Sequence, residues 1–213
     1  MTEQPATLDL DPDTAKYLTQ PTTPRATDPR LDSLRRRMRA MHSLYYQAVD
    51  TMGPEHVNHF EREGVLPIAF SLFHYTNMQD SSFMLITGVA PVWNEAWQAK
   101  VDMTIDDHGK HRTVDEMIHQ RIGDFEAFKA YQREVFTRTE VWLDELDPAE
   151  LDRVVITRPF PPQIATTYSA RVAGEEGITV SDATECWIYQ HGLRHMGEIE
   201  LARGLVGLGG MTS

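Results

Sequence analysis

The chain has 213 residues, enough to bury one sizeable core without disulfide support, and its 41% hydrophobic and 24% charged content is that of an ordinary globular protein. Its net charge of −12, from 20 Lys and Arg against 32 Asp and Glu, argues against a nucleic-acid partner, which a basic surface would be needed to hold. A single cysteine, Cys186, excludes an intrachain disulfide and fits a reducing cytoplasm; no window is apolar enough to predict a membrane span, and the N-terminus lacks the pattern of a secretory signal.

Residues 1–29 are polar and carry Pro5, Pro12, Pro21, Pro24 and Pro29, which predicts a tail outside the folded unit of residues 30–210. A first helix begins at Asp28-Pro29, an N-cap followed by proline. Leu31, Leu34, Met38, Met41, Tyr45, Ala48 and Met52 then alternate at steps of three and four, an apolar stripe that Gly53-Pro54 ends. The basic run Arg35–Arg37 with Arg39 reads as a solvated face of this helix, and its Met-rich side leaves room for a homodimer contact. A shorter helical piece, EHVNHFERE, follows, with His56 and His59 at its surface.

The second helix is expected from Leu66 to Thr87, with Gly88 stopping it. Phe70, His74, Met78, Ser81 and Leu85 share one face, and His74 taken alone reads more readily as a hydrogen-bonded core histidine than as a ligand. The long connection Gly88–Arg112 carries Trp93 and Trp97, expected to cap the bundle or line a pocket mouth, and a polar tip with solvated His108 and His111. Thr113 with Glu116 forms a capping box that opens a third helix to Leu146, with His119 exposed. Pro159, Pro161 and Pro162 then break the helical period, and the β-branched segments Arg153–Thr157 and Ala165–Val172 suit a small hairpin. Ser181 is read as the cap of a fourth helix to Leu205.

Four amphipathic helices with long crossovers make an all-α four-helix bundle, in which metal sites are built from inward-facing side chains of facing helices. The fourth helix places His191 and His195 four residues apart on one face, with Glu198 on the same stripe; His74 on the second helix completes the simplest three-ligand set. Three neutral imidazoles suit Zn²⁺, Ni²⁺, Fe²⁺ or Co²⁺ and leave coordination positions open; a set in which Glu198 replaces one histidine is the alternative. Cys186 lies off this stripe and reads as a packing residue.

The segments HGLRHMGEIELARGLVG and FSLFHYTNMQDSSFM resemble the closing and second helices of the DinB-like (YfiT-like) superfamily, with WNEAWQ, TVDEM and LDELDPAELDR in comparable places. The resemblance covers residues 30–210 and implies a DinB-like bundle with metal on His74, His191 and His195. It departs at Glu198, where many members have Gln; a carboxylate there would act as a base or as an extra anionic ligand. Relatives include mycothiol- and bacillithiol-dependent enzymes, so the resemblance implies a low-molecular-weight thiol S-transferase or isomerase acting on a small electrophile. The other readings are a hydrolase of a small amide or ester with Glu198 as general base, and a non-catalytic metal-binding stress protein with a closed site.

Overall fold

The computed structural model describes residues 24–211, so most of the expected tail lies outside the described residues. Asp28 caps the first helix, accepting from the amides of Arg30 and Leu31, and α1 runs Pro29–Asp50. All seven residues of its predicted stripe are buried, Leu31 to Met52. A single turn, α2 (Pro54–Val57), is all that forms of the expected EHVNHFERE helix. Then α3 (Ile68–Thr87) ends at Gly88, whose left-handed φ of 75° closes it.

The connection from α3 contains its own short helix, α4 (Glu95–Val101), capped by Asn94. What fixes it is Asp80, a fully buried carboxylate on α3 that accepts the amides of Val92 and Trp93 at 2.9 and 2.8 Å. Burial raises the Asp80 pKa, and those two amides oppose that rise. Trp93 and Trp97 pack on Phe73 and Tyr131 rather than at a pocket mouth.

The single third helix expected from Thr113 to Leu146 is two helices. The Thr113–Glu116 capping box forms, but it opens only α5 (Val114–Met117). The break at 118–124 has a local cause: Gln120 turns its amide onto both backbone groups of Ile105, Asn58 does the same to Ile122, and Asp124 caps a new helix by accepting from Ala127. That helix, α6, is Phe125–Glu145. Ile118 and Ile122 are buried as predicted, but in the loop.

After a 3₁₀ turn at Pro148–Asp152, β1 (Val154–Thr157) pairs antiparallel with β2 (Gly177–Thr179) in the expected hairpin. The partner strand is not Ala165–Val172. Those residues fall into α7 (Pro162–Ala165) and α8 (Tyr168–Val172), where the Thr167 hydroxyl accepts from Ala170 as an N-cap that outweighs β-branched content. Thr179, not Ser181, caps the last helix, in a reciprocal pair with Asp182. The helix comprises α9 (Val180–Ala183), a π-helical stretch Thr184–Tyr189, and α10 (Gln190–Leu205).

The protein is therefore all-α with a small hairpin: α1 packs on α6 and α10, and α3 packs on α6 and α10, closing four long helices into a bundle. The basic run of α1 is a set of clamps. Arg35 is buried and donates to the carbonyls of Leu143 and Asp144, Arg37 pairs with Glu185, and Arg39 pairs with Glu140 and Asp144. Inside the bundle His42, fully buried, stacks on Phe136 at 4.0 Å and is hydrogen-bonded to Glu140 and Gln79. Its neighbours supply partners for both ring nitrogens, as burial of an imidazole requires.

Candidate metal centre

The face of α3 that carries His74 is not core. Leu72, Phe73, Tyr75 and Phe83 take the core side, while His74, Met78 and Leu85 line a cavity of about 420 Å³ against the last helix and α7–α8. His191 lies on the opposite wall, one helical turn before His195. The glycine between them is what lets the walls meet. A Cβ at Gly192 would lie 2.3 Å from Met41 Sδ and 2.6 Å from the Tyr75 ring, and the Gly192 carbonyl accepts from Tyr45 Oη at 2.8 Å. Only a residue without a side chain allows α10 to approach α1 and α3 so closely.

The three histidines come together. One ring nitrogen from each of His74, His191 and His195 lies within 4.8 Å of the others, and the ring centroids are 4.7–5.4 Å apart. His191 Nε2 and His195 Nε2 are 3.0 Å apart. Two nitrogens bound to a single ion at ~2.0–2.1 Å sit ~3.0–3.4 Å apart, so this spacing would suit a ligand pair.

Each ring also has a partner that turns it. His74 Nδ1 donates to the His108 carbonyl, and His195 Nδ1 donates to Glu198 Oε2 at 2.7 Å. The Trp187 carbonyl, one turn back and inside the π-helical stretch, is the backbone acceptor for the His191 ring. With Nδ1 protons held outward on His74 and His195, bare Nε2 lone pairs face the shared point, the tautomer a divalent cation needs. Burial pushes the His74 imidazole down to about 4 and His191 to about 3, the latter helped by the neighbouring His195 and His74, so both rings are neutral at physiological pH. The donor set and its protonation fit a divalent metal ion.

Glu198 sits behind His195 rather than over the cavity. Its Oε2 also accepts from Ser71 Oγ at 3.1 Å, and the hydrogen bond from His195 holds its pKa below the usual carboxylate value. It is half exposed and does not line the cavity. Among the described residues no other His, Cys, Asp or Glu joins the three-histidine group.

Three features of the site escaped sequence reasoning. His108 is half-buried rather than solvated, and its carbonyl orients His74. The turn that delivers it is built by Asp107, which accepts from Gly109 N and from Arg112, with Gly109 at a φ of 73°. The DxG spacing was a signal for such a turn, although nothing in it indicates what the turn touches. Cys186 is buried as expected, but it lines the cavity beside His74 and His191, and burial pushes its thiol up to about 11. His56, His59, His111 and His119 stand outside the group. A shallow depression on the outer face of α6, around Phe83, Val141 and Trp142, contains none of the histidines.

The site and fold together define an all-α bundle protein with a three-histidine group able to hold one metal ion. A conserved protein from Enterococcus faecalis, known from its crystal structure, has the same fold: the match has a TM-score of 0.65 and 16% sequence identity, covering 82% of this chain and 95% of that one. At that identity the likeness is one of fold. No known family model matches the sequence, and no curated protein does.

Proposed function

We propose that the protein is a divalent-metal-dependent transferase or isomerase of the DinB-like kind, in which a low-molecular-weight thiol attacks a small electrophile. The observation that carries this reading is the three-histidine group at the wall of a 420 Å³ cavity, with no fourth protein ligand among the described residues. Such a sphere leaves room for a thiol and a cavity for its reaction partner. A divalent ion held there would lower the pKa of a coordinated thiol, so that it is a thiolate at neutral pH.

The chain's own residues prepare that step. His108 and Glu198 hold Nδ1 protons away from the shared point, and apolar walls from Met78, Leu85, Ile164 and Trp187 keep the attacking sulfur poorly hydrated. The thiolate sulfur forms a bond to the electrophilic carbon. In transfer the leaving group departs with its electron pair; in isomerisation the sulfur itself is expelled with its pair after rotation about the carbon framework. Cys186 does not supply the sulfur, because its buried thiol stays protonated.

Hydrolysis with Glu198 as base is less well supported, since that carboxylate is spent on His195 and Ser71 and lies off the cavity. The test is metal content and conjugation activity of purified protein, wild type against His195→Ala, with N-acetylcysteine and a halodinitrobenzene. The expected result is about one divalent ion per chain and metal-dependent conjugation, both lost in the variant. Equal metal content in the two proteins would sink the metal centre, and turnover of esters or amides without thiol would replace the transferase with a hydrolase.

A further inference from the structure

The chain is strongly acidic, at −12, yet among the described residues no carboxylate lines the cavity, and the two charged lining residues besides histidine are Lys110 and Arg194. Two neighbouring arginines are matched: Arg112 pairs with Asp107 two residues from Lys110, and Arg37 pairs with Glu185 on the same helical run as Arg194. Lys110 and Arg194 make no side-chain hydrogen bond or ion pair with any described residue. In a protein with twelve surplus acidic groups, two such cations at one opening mark a place from which the carboxylates of the described residues are kept out.

The two cations reach the cavity from different elements. Arg194 lies on α10 between the two histidines, three residues after His191, and so leans over the same wall. Lys110 belongs to the turn whose preceding carbonyl orients His74, with its amide fixed on His108 Nδ1 at 3.0 Å. Between them Met78, Leu85, Ile164 and Trp187 give the cavity a mainly apolar lining, to which Ser82, Gln163 and the hydroxyls of residues 167–169 add polar groups. The volume, 420 Å³, is in the lower part of the ~300–1,000 Å³ range of small-molecule sites.

We propose that Arg194 and Lys110 form an anion subsite of this cavity, and that its occupant is a small organic carboxylate whose apolar body lies against Met78, Leu85 and Trp187. Arg194 offers a planar fork that matches two carboxylate oxygens, and Lys110 adds a mobile point charge. Phosphate sites draw mainly on clustered free backbone amides at the start of long helices, and the last helix runs through this wall unbroken from Val180, with no free N-terminus here, which favours carboxylate. This inference rests on the reading of the cavity as the place where the reaction occurs, and it adds the class of molecule that enters.

The test measures binding by calorimetry and ligand-observed NMR on the full chain, with metal loaded and with metal stripped by chelator. The probes are phenylacetate, 4-phenylbutyrate, hexanoate and N-acetylcysteine, each against its neutral primary amide, on wild type, Arg194→Gln and Lys110→Gln. Each carboxylate that binds is expected to do so at least tenfold more tightly than its amide in wild type, stripped or loaded. Arg194→Gln should erase that preference while leaving amide binding and metal content unchanged, and Lys110→Gln should reduce it. A preference for N-acetylcysteine alone assigns the carboxylate to the thiol partner; one shared with the phenylalkanoates or hexanoate assigns it to the electrophile. Equal binding of acid and amide, no binding of either, or a preference that needs metal and ignores Arg194→Gln overturns the subsite. Because the stripped protein is measured in parallel, failure of the metal centre leaves the outcome at the cations readable.

Discussion

Gly109→Ala separates the orientation of His74 from its mere presence. The glycine holds a φ of 73°, and an L side chain in that left-handed region costs roughly 1–2 kcal/mol. Its Cβ would also stand 2.7 Å from Phe70 Cε2, a ring that is buried and stacked on His74 at 5.2 Å. Neither side yields easily: if the turn moves, the His108 carbonyl leaves His74 Nδ1, and if Phe70 moves, it pushes the imidazole it stacks on. Loss of an orienting hydrogen bond typically weakens metal binding ~10–100-fold, or ~1.4–2.7 kcal/mol. Chelator-competition titration with Zn²⁺ should show that loss, while thermal unfolding of the metal-free protein falls by several degrees. Gly88→Ala is the control: its φ is 75°, but nothing lies within 4 Å of its Cβ, so it should lose stability and keep its metal. If Gly109→Ala binds Zn²⁺ as tightly as wild type, or if Gly88→Ala weakens it equally, the carbonyl of His108 does not position His74.

Two further outcomes are expected. The metal-free protein should lose stability as the pH falls below ~6.5, because the unfolded imidazoles of His74 and His191 then take up protons while the folded ones stay neutral until about 4 and about 3; at pH 5 this amounts to ~2 kcal/mol per histidine at most. Urea unfolding at pH 7 and pH 5 measures it, with His191→Asn expected to show a shallower dependence; identical curves for the two proteins would contradict the burial of that ring. Asp80→Ala should cost ~2–4 kcal/mol in the same assay, since it strands the buried amide of Val92 and its neighbour Trp93, and Asp80→Asn should recover part of this.

Much of this molecule is legible in its sequence, and the reason differs by residue. The stripe from Leu31 to Met52 and the caps at Asp28, Thr113 and Asp124 all depend on local chemistry, yet only the first two caps stand out in the sequence. Gly123-Asp124 carries a perfectly good stop and cap, but the apolar spacing of Ile118, Ile122 and Phe125 runs straight through it and imitates one long helix. His74, His191 and His195 converge because helical periodicity places them on facing stripes. Their orienting partners were beyond sequence reasoning for a simple reason: two of the three are backbone carbonyls, which every residue possesses. The clamps made by Arg35, Arg37 and Arg39 were equally hidden, because a cationic run has the same appearance whether water or carbonyls and carboxylates from other elements receive it.

The π-helical stretch Thr184–Tyr189 sets the rotational phase of everything after it. Each residue of an α-helix advances the side-chain direction by ~100°, and a π turn absorbs one residue more than an α turn would. The bearing of His191 and His195 thus depends on how the upstream residues are wound as well as on their own identity. Removing a single residue from TECWIY would let the stretch close into an ordinary α turn and keep the bearing of the pair, whereas winding the same six residues as α-helix would swing it about a quarter-turn away from His74. For the same reason, a lineage could gain or lose a residue in this stretch, by a three-base insertion or deletion, and keep the centre.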